Sequence, residues 1–343
     1  MTSVKPNSSH LVITTINSDE HEGNLRHIES ALRSNRNLIV IGDKNTPEWK
    51  NKHQNIEFIS AKIQESLSFR STKSIPFNTY CRKNIGYLIA ASNDSDWIAE
   101  TDDDNQIYDN FWTFPRTAFY AVNEISRWVN LYRFFGAEDL WPRGIPLESV
   151  RDSRHVKIVG ANEIDYSSIG CIQGIADGDP DVDAIGRMLH SPNVIFSNDY
   201  SFIVDKKNIS PTNSQVTFWK SGLLPLLYLP HSVLWRVADI WRGLIAQVWT
   251  NVNHQRTLFV GPRAYQDRNP HILMDNFRDE LPVHVHTSQL LEICDKYSKE
   301  APEVYITLVY SDLVSKDLVS SSDFLALRDY LLDAQEVRNT KSL

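Results

Sequence analysis

Trp97-Ile98-Ala99-Glu100-Thr101-Asp102-Asp103-Asp104-Asn105 is the stretch on which the reading of this chain turns. Residues 97–100 have the apolar, short character of a strand, and they run without a break into three consecutive carboxylates. Carboxylates set side by side repel one another and raise one another's pKa unless a cation compensates. Hard divalent ions take carboxylate oxygens, and Mg2+ or Mn2+ is commonly held by one or two carboxylates together with substrate phosphates. Side chains at i and i+2 of an extended segment point the same way, so Asp102 and Asp104 are expected to share one metal site. The same letters also make a solvated acidic turn. What precedes them decides between the two.

The first hundred residues alternate short apolar runs with helical patterns. Residues 11–16, 38–42 and 56–59 read as strands, and residues 24–33 and 79–92 as helices. Continuous apolar strands alternating with helices predict an α/β fold, a Rossmann-like and mostly parallel sheet flanked by helices. Ligands of such sheets sit beyond the carboxyl ends of the strands. Thr14, Thr15, Asp43, Asp102, Asp103 and Asp104 all fall there, which favours a metal–diphosphate site over an acidic turn. Arg82 and Lys83, in the helix before the aspartates, are candidate phosphate contacts, although an exposed helix start explains basic residues as well. Further on, residues 111–183 are irregular and aromatic, 194–204 suggest a strand, and 232–249 a helix. Residues 288–299 and 322–337 read as helices around a β-like run, 304–309, with 311–322 as a linker.

Composition narrows the partners. The 343 residues carry 43 acidic and 35 basic side chains for a net charge of -8, which argues against a nucleic-acid partner. The 3 cysteines, Cys81, Cys171 and Cys294, form no C-x-x-C, so neither a zinc knuckle nor a disulfide framework is indicated. The most apolar stretch, residues 221–235, is interrupted by Pro225, Pro230 and His231, whereas a membrane span needs roughly 20 unbroken apolar residues. A cytoplasmic chain is expected, with the Trp-rich residues 218–249 offering either core or a peripheral membrane or partner-protein contact.

Tyr80-Cys81-Arg82-Lys83-Asn84-Ile85-Gly86-Tyr87-Leu88, followed by the strand and its aspartates, closely resembles the STELLO glycosyltransferase-like family. It resembles more distantly the plant reversibly glycosylated polypeptides, which are UDP-arabinopyranose mutases. Further matches follow in order at Leu140-Trp141-Pro142-Arg143-Gly144-Ile145-Pro146-Leu147, Asp179-Pro180-Asp181-Val182-Asp183-Ala184, Pro211-Thr212-Asn213-Ser214-Gln215, Asp239-Ile240-Trp241-Arg242-Gly243 and Arg268-Asn269-Pro270-His271. Ordered motifs over roughly residues 10 to 285 are more specific than any one of them. The resemblance implies a GT-A-like domain over residues 1–285 that binds a nucleotide-sugar, and a mainly helical C-terminal extension over 286–343. It implies a Mn2+- or Mg2+-dependent, inverting glycosyltransferase. The donor would be a nucleotide-sugar, UDP-type favoured, and the acceptor a carbohydrate or glycoconjugate of polysaccharide or glycoconjugate synthesis. A nucleotide-sugar mutase and a non-catalytic glycosyltransferase-like scaffold are the alternatives. The plant STELLO proteins carry an N-terminal membrane anchor; none is expected here, which points away from a Golgi setting.

The remaining candidates each have a plain alternative. Asp177, Asp179, Asp181 and Asp183 alternate, but an EF-hand loop needs Gly sixth and Glu twelfth, where Val182 and Met188 stand. Asp181 and Asp183 are expected either to orient a sugar hydroxyl or a basic partner such as Arg187, or to belong to a helix start with Asp179 as N-cap and Pro180 at N1. Asp239 is expected to be the general base that takes the acceptor's proton, or else to pair with Arg236 or Arg242 on the same helix. Arg143, beside Trp141-Pro142, is the candidate to neutralise the leaving diphosphate, with the indole as a shelf. In the mutase relatives, an arginine in this region is linked to reversible self-glycosylation. His271 would complete the metal shell, as a late histidine does in some GT-A enzymes.

Overall fold

Leu11-Val12-Ile13 and Leu38-Ile39-Val40-Ile41 are apolar on both faces, and both faces are covered. In the computed structural model, which describes residues 8–190, 193–267 and 272–341, they lie at the centre of a parallel sheet. The first part runs β1 (Ser9–Thr15), α1 (Glu22–Ser34), β2 (Asn37–Gly42), β3 (Ile56–Ile59), two short helices α2 (Ala61–Ser66) and α3 (Ser71–Ser74), α4 (Lys83–Ser92) and β4 (Trp97–Thr101). Strands β3, β2, β1 and β4 are neighbours in that order and all parallel, with Leu11 opposite Leu38 on one side and Ala99 on the other. Helix α4 packs on β1 and β2, and Gly86 is its point of close approach: a Cβ there would meet Val12 Cγ1 at 2.3 Å.

The sheet continues through β5 (Asn105–Ile107), β6 (Thr117–Asn123), β7 (Val156–Glu163), β8 (Ile169–Gly178), β9 (Ser201–Val204), β10 (Val216–Lys220) and β11 (Arg256–Gln266). Its order is β3-β2-β1-β4-β10-β8-β11-β9-β6-β7, with β5 pairing β11. Beyond β4 antiparallel pairings enter, first where β10 sets Thr217 against Glu100. Helix α5 (Ala184–Leu189) follows β8, and α6 (Trp235–Val252) lies between β10 and β11.

The C-terminal part is helical: α7 (Leu273–Tyr297), α8 (Pro302–Ser315) and α9 (Ser321–Lys341). Two expectations are corrected here. The run 304–309 is helix and not β, and most of 311–322 is helix rather than linker. Tyr305, Ile306, Val309, Tyr310 and Leu313 are all buried, a spacing of one helical face that a six-residue window does not reveal, and Pro302 starts the helix. The strand expected over 194–204 is confined to Ser201–Val204. The expected boundary after residue 285 falls inside α7.

These helices share the core formed by α4 and α6. Buried Asp333 on α9 accepts hydrogen bonds from the Ser71 amide (2.9 Å), the Ser71 hydroxyl (2.6 Å) and the Arg70 amide (3.0 Å). Buried Asp323 accepts from the Tyr228 hydroxyl (2.7 Å) and from the amides of His231 (2.9 Å) and Ser232 (2.8 Å). Among the described residues, no helix is long and apolar enough to cross a membrane. Asp333→Ala leaves these buried donors without their acceptor and should lower stability by about 1–3 kcal/mol. Urea denaturation reads this as a lower midpoint with unchanged slope; an unmoved midpoint would show that α9 is not held this way.

Candidate active site

The carboxyl ends of β1 and β4 open onto a cavity of about 420 Å³. Asp102, Asp103 and Asp104 line it together with Arg143, Asp181 and Asp239, so residues spread over 137 positions, from 102 to 239, meet at one place. A second cavity, of about 440 Å³, adjoins it at the end of β2 and is walled by Thr14, Thr15, Asp43 and Arg82. Thr14, Tyr80 and Asp103 line both.

The aspartate loop is pinned from several sides. Thr15 Oγ1 donates to Asp103 Oδ2 at 2.5 Å, and Asn17 Nδ2 to the same oxygen at 3.2 Å. Gly23, in the first turn of α1, lets the loop backbone come close, since a Cβ there would lie 1.9 Å from the Asp103 carbonyl oxygen. The His27 Nε2–H donates to the Asp102 carbonyl at 3.1 Å. Gln266 Nε2, at the end of β11, donates to Asp104 Oδ2 at 2.8 Å. Lys83, fully buried, donates to the Thr101 carbonyl (3.0 Å) and to Asp102 Oδ1 (3.1 Å). Removal from solvent raises the Asp102 carboxyl above the ordinary carboxylate range, and Lys83 pulls the other way. Asn17, Gly23, His27 and Gln266 escaped the sequence reading because each meets the aspartates only through the fold.

The same cavity is lined by a buried arginine between two carboxylates. Arg143 Nε and Nη2 donate to Asp181 (2.7 and 3.0 Å), and Nη2 and Nη1 to Asp239 (3.1 and 3.3 Å). Nη1 also donates to the Arg236 carbonyl. A guanidinium has five N–H donors, and these five contacts occupy them. This corrects the expected role of Arg143: no donor is left over for a diphosphate. The turn that delivers it needs Gly144 at φ 112°, where a Cβ would meet Pro211 at 2.8 Å and Ile240 at 2.9 Å. The pairs expected within α6 do not form. Arg236 goes to Glu280 on α7 (Nε–Oε1 2.5 Å), Arg242 goes to Glu100 on β4 (2.7 Å), and Asp239 is left to Arg143.

Other expected site residues fall elsewhere. Asp183 is fully buried, caps α5 through the Gly186 amide (2.7 Å) and accepts from Trp141 Nε1 (2.7 Å), so it does not line the cavity at the aspartates. The N-cap is therefore Asp183, not Asp179, and Asp179 pairs with Arg187. Trp141 is buried rather than a shelf. Arg82 gives Nε and Nη2 to Gln64 (2.9 and 2.6 Å) and Nη1 to the carbonyls of Thr72 and Ile75 (2.9 and 2.8 Å). Lys83 serves Asp102 in the same manner, so neither basic residue is held toward a phosphate. Asp43 accepts from the Asn78 amide (2.7 Å) and the Lys44 amide (2.6 Å) at the second cavity. His271 lies outside the described residues.

Among the described residues, no group of three His, Cys, Asp or Glu side chains converges as a metal-ligating cluster. Asp102 and Asp104 both line the cavity. That all-oxygen set suits a hard cation whose shell substrate phosphates and water complete.

No family model matches the chain. It is similar to two curated proteins of Arabidopsis thaliana. One is probable glycosyltransferase STELLO2, 26% identical over 278 residues that make up 74% of this chain and 35% of that one. The other is probable glycosyltransferase STELLO1, 25% identical over 295 residues, 79% of this chain and 37% of that one. The chain thus spans about a third of the length of the curated relatives it matches. Among solved structures, glucosyl-3-phosphoglycerate synthase from Mycobacterium tuberculosis aligns with TM-score 0.38 at 11% identity, over 84% of this chain and 78% of that one.

Burial lowers the His27 pKa from 6.5 to about 4. Between those values the unfolded chain binds a proton that the folded chain refuses, so stability falls as pH drops from about 6.5 to about 4 and levels off above. Urea midpoints at pH 5 and 7.5 should therefore differ more in the wild type than in His27→Gln. Equal pH dependence in the two would remove His27 as the source.

Proposed function

We propose that the chain is a metal-dependent glycosyltransferase that moves a sugar from a nucleotide-sugar donor to an acceptor hydroxyl with inversion. The observation that carries this reading is the convergence of Asp102 and Asp104 with Asp239 across one cavity at the carboxyl ends of the strands. The similarity to two probable glycosyltransferases, over about three-quarters of this chain, supports sugar transfer over nucleotide binding alone.

In this reading the nucleoside occupies the cavity walled by Thr14, Thr15 and Asp43, a UDP-type donor being favoured. The diphosphate crosses to the first cavity at Asp103, which both share. Asp102 and Asp104 would hold Mn2+ or Mg2+, which supplies positive charge to the diphosphate as it leaves. Lys83, His27 and Gln266 position the loop for this. Asp181, fixed by Arg143 and by Asn213 Nδ2 (2.9 Å), orients sugar hydroxyls. Asp239 accepts the proton of the acceptor hydroxyl while that oxygen attacks the anomeric carbon from the side opposite the nucleotide. Arg143 holds the Asp239 carboxylate in place through two hydrogen bonds, acting as a positioning residue.

Two variants separate the roles. Calorimetric titration of UDP with and without Mn2+ should show metal-dependent binding in the wild type and at least a tenfold loss in Asp104→Ala, in line with the loss of one of two carboxylate ligands. Binding that ignores both metal and mutation would sink the assignment. Asp239→Asn should bind UDP as the wild type does and lose about 10²–10⁴ in turnover. Full turnover in that variant would remove Asp239 as the base.

A further inference from the structure

We infer that the acceptor is a neutral carbohydrate, a pyranoside that stacks on Trp235, and not a phosphorylated or carboxylated small molecule. This rests on the glycosyltransferase reading above and narrows its acceptor.

Trp235 is the first residue of α6, lines the same cavity as the aspartates, and is 50% exposed. An indole is among the largest apolar surfaces a chain can bury, and leaving half of one at the mouth of a polar cavity forgoes that stabilisation until a ligand covers it. Its position relative to the proposed base is fixed by the helix. Trp235 and Asp239 are i and i+4, on one face and about 6 Å apart along the axis. A hexose ring lying on the indole thereby presents a hydroxyl toward the carboxylate.

The platform is held in advance. The Arg236 guanidinium sits 5.1 Å from the Trp235 ring centroid, over one face of the ring. Arg236 is itself buried and tied to Glu280, so it cannot swing away cheaply. The Trp235 carbonyl accepts from the Tyr80 hydroxyl at 3.3 Å, which links the start of α6 to the segment lining both cavities. A fixed aromatic face binds the C–H side of a sugar without an ordering cost at the time of binding.

Charge argues in the same direction. The cavity wall carries the carboxylates of Asp102, Asp103, Asp104, Asp181 and Asp239. Its arginines are both engaged with carboxylates, Arg143 with Asp181 and Asp239, and Arg236 with Glu280. A metal bound at Asp102 and Asp104 would serve the donor's diphosphate. A phosphate or carboxylate on the acceptor would meet this negative wall without a cation to receive it, whereas a neutral sugar's hydroxyls find acceptors in Asp181 and Asp239.

The test uses the whole chain with Mn2+ and UDP, and saturation-transfer NMR with methyl β-D-glucopyranoside, methyl α-D-mannopyranoside and cellobiose against 3-phosphoglycerate and glucuronate. The neutral glycosides should receive saturation and the anionic probes should not. Trp235→Ala should weaken glycoside binding by about tenfold or more, and Trp235→Tyr should restore most of it, because a smaller aromatic face still stacks. Calorimetric binding of UDP to each variant reports folding and donor-site integrity. The inference is overturned if the anionic probes bind in preference, if no neutral glycoside binds while UDP does, or if Trp235→Ala binds glycosides like the wild type. If the wild type fails to bind UDP with Mn2+, the glycosyltransferase reading fails and takes the inference with it.

Discussion

A single guanidinium sets the geometry of the site. Arg143 is buried, each of its five N–H groups has an acceptor, and those acceptors come from Asp181, Asp239 and the carbonyl of Arg236. Three segments far apart in sequence are thereby joined. Removing one partner from such a buried pair leaves an uncompensated charge and costs about 3–5 kcal/mol, so the two carboxylates have little freedom to leave their places. Behind it, Arg242 and Glu100 form a second buried pair that ties α6 to β4. Glu100 also accepts from Trp219 Nε1 at 2.8 Å and from the Tyr87 hydroxyl. The strand that ends in the aspartates and the helix that carries Asp239 and Trp235 are thus one rigid unit, the condition under which groups on opposite walls of a cavity act on the same substrate.

This arrangement also explains which basic residues do what. Arg82, Lys83, Arg143, Arg236 and Arg242 lie in or around the two cavities, and every one is bound to carboxylates, carbonyls or amides of the protein itself. Their task is to hold acids and loops in position. In the proposed reaction, compensation of the diphosphate would fall to a cation held by Asp102 and Asp104, which is why the acidic lining and the proposed metal dependence belong together.

The parts legible in the sequence were those encoded locally. Strands β1, β2 and β4 are continuous apolar runs, and the aspartates after Thr101 announce themselves by their charge. Asp181, Arg143 and Asp239 stand out as candidates in the sequence, and all three line one cavity. What the letters did not contain was pairing. Which acid Arg143 meets, and that no donor remains afterwards, depends on residues up to 96 positions away. A buried N-cap such as Asp183 and a cavity carboxylate look alike in sequence. Val304 to Val309 is rich in β-branched residues, and the helical face of α8 emerges only over residues 305–313.

In the proposed function, the cavity at Asp102 and Asp104 binds a nucleotide-sugar through a divalent metal. A ligand that binds only the native state raises the melting temperature in proportion to its occupancy. A thermal-shift panel of nucleotide-sugars, with Mn2+ and again with EDTA, measures this directly. One class of nucleotide-sugar should stabilise the protein, and that stabilisation should disappear when the metal is removed. No shift with any nucleotide-sugar, or an equal shift with EDTA, would contradict it.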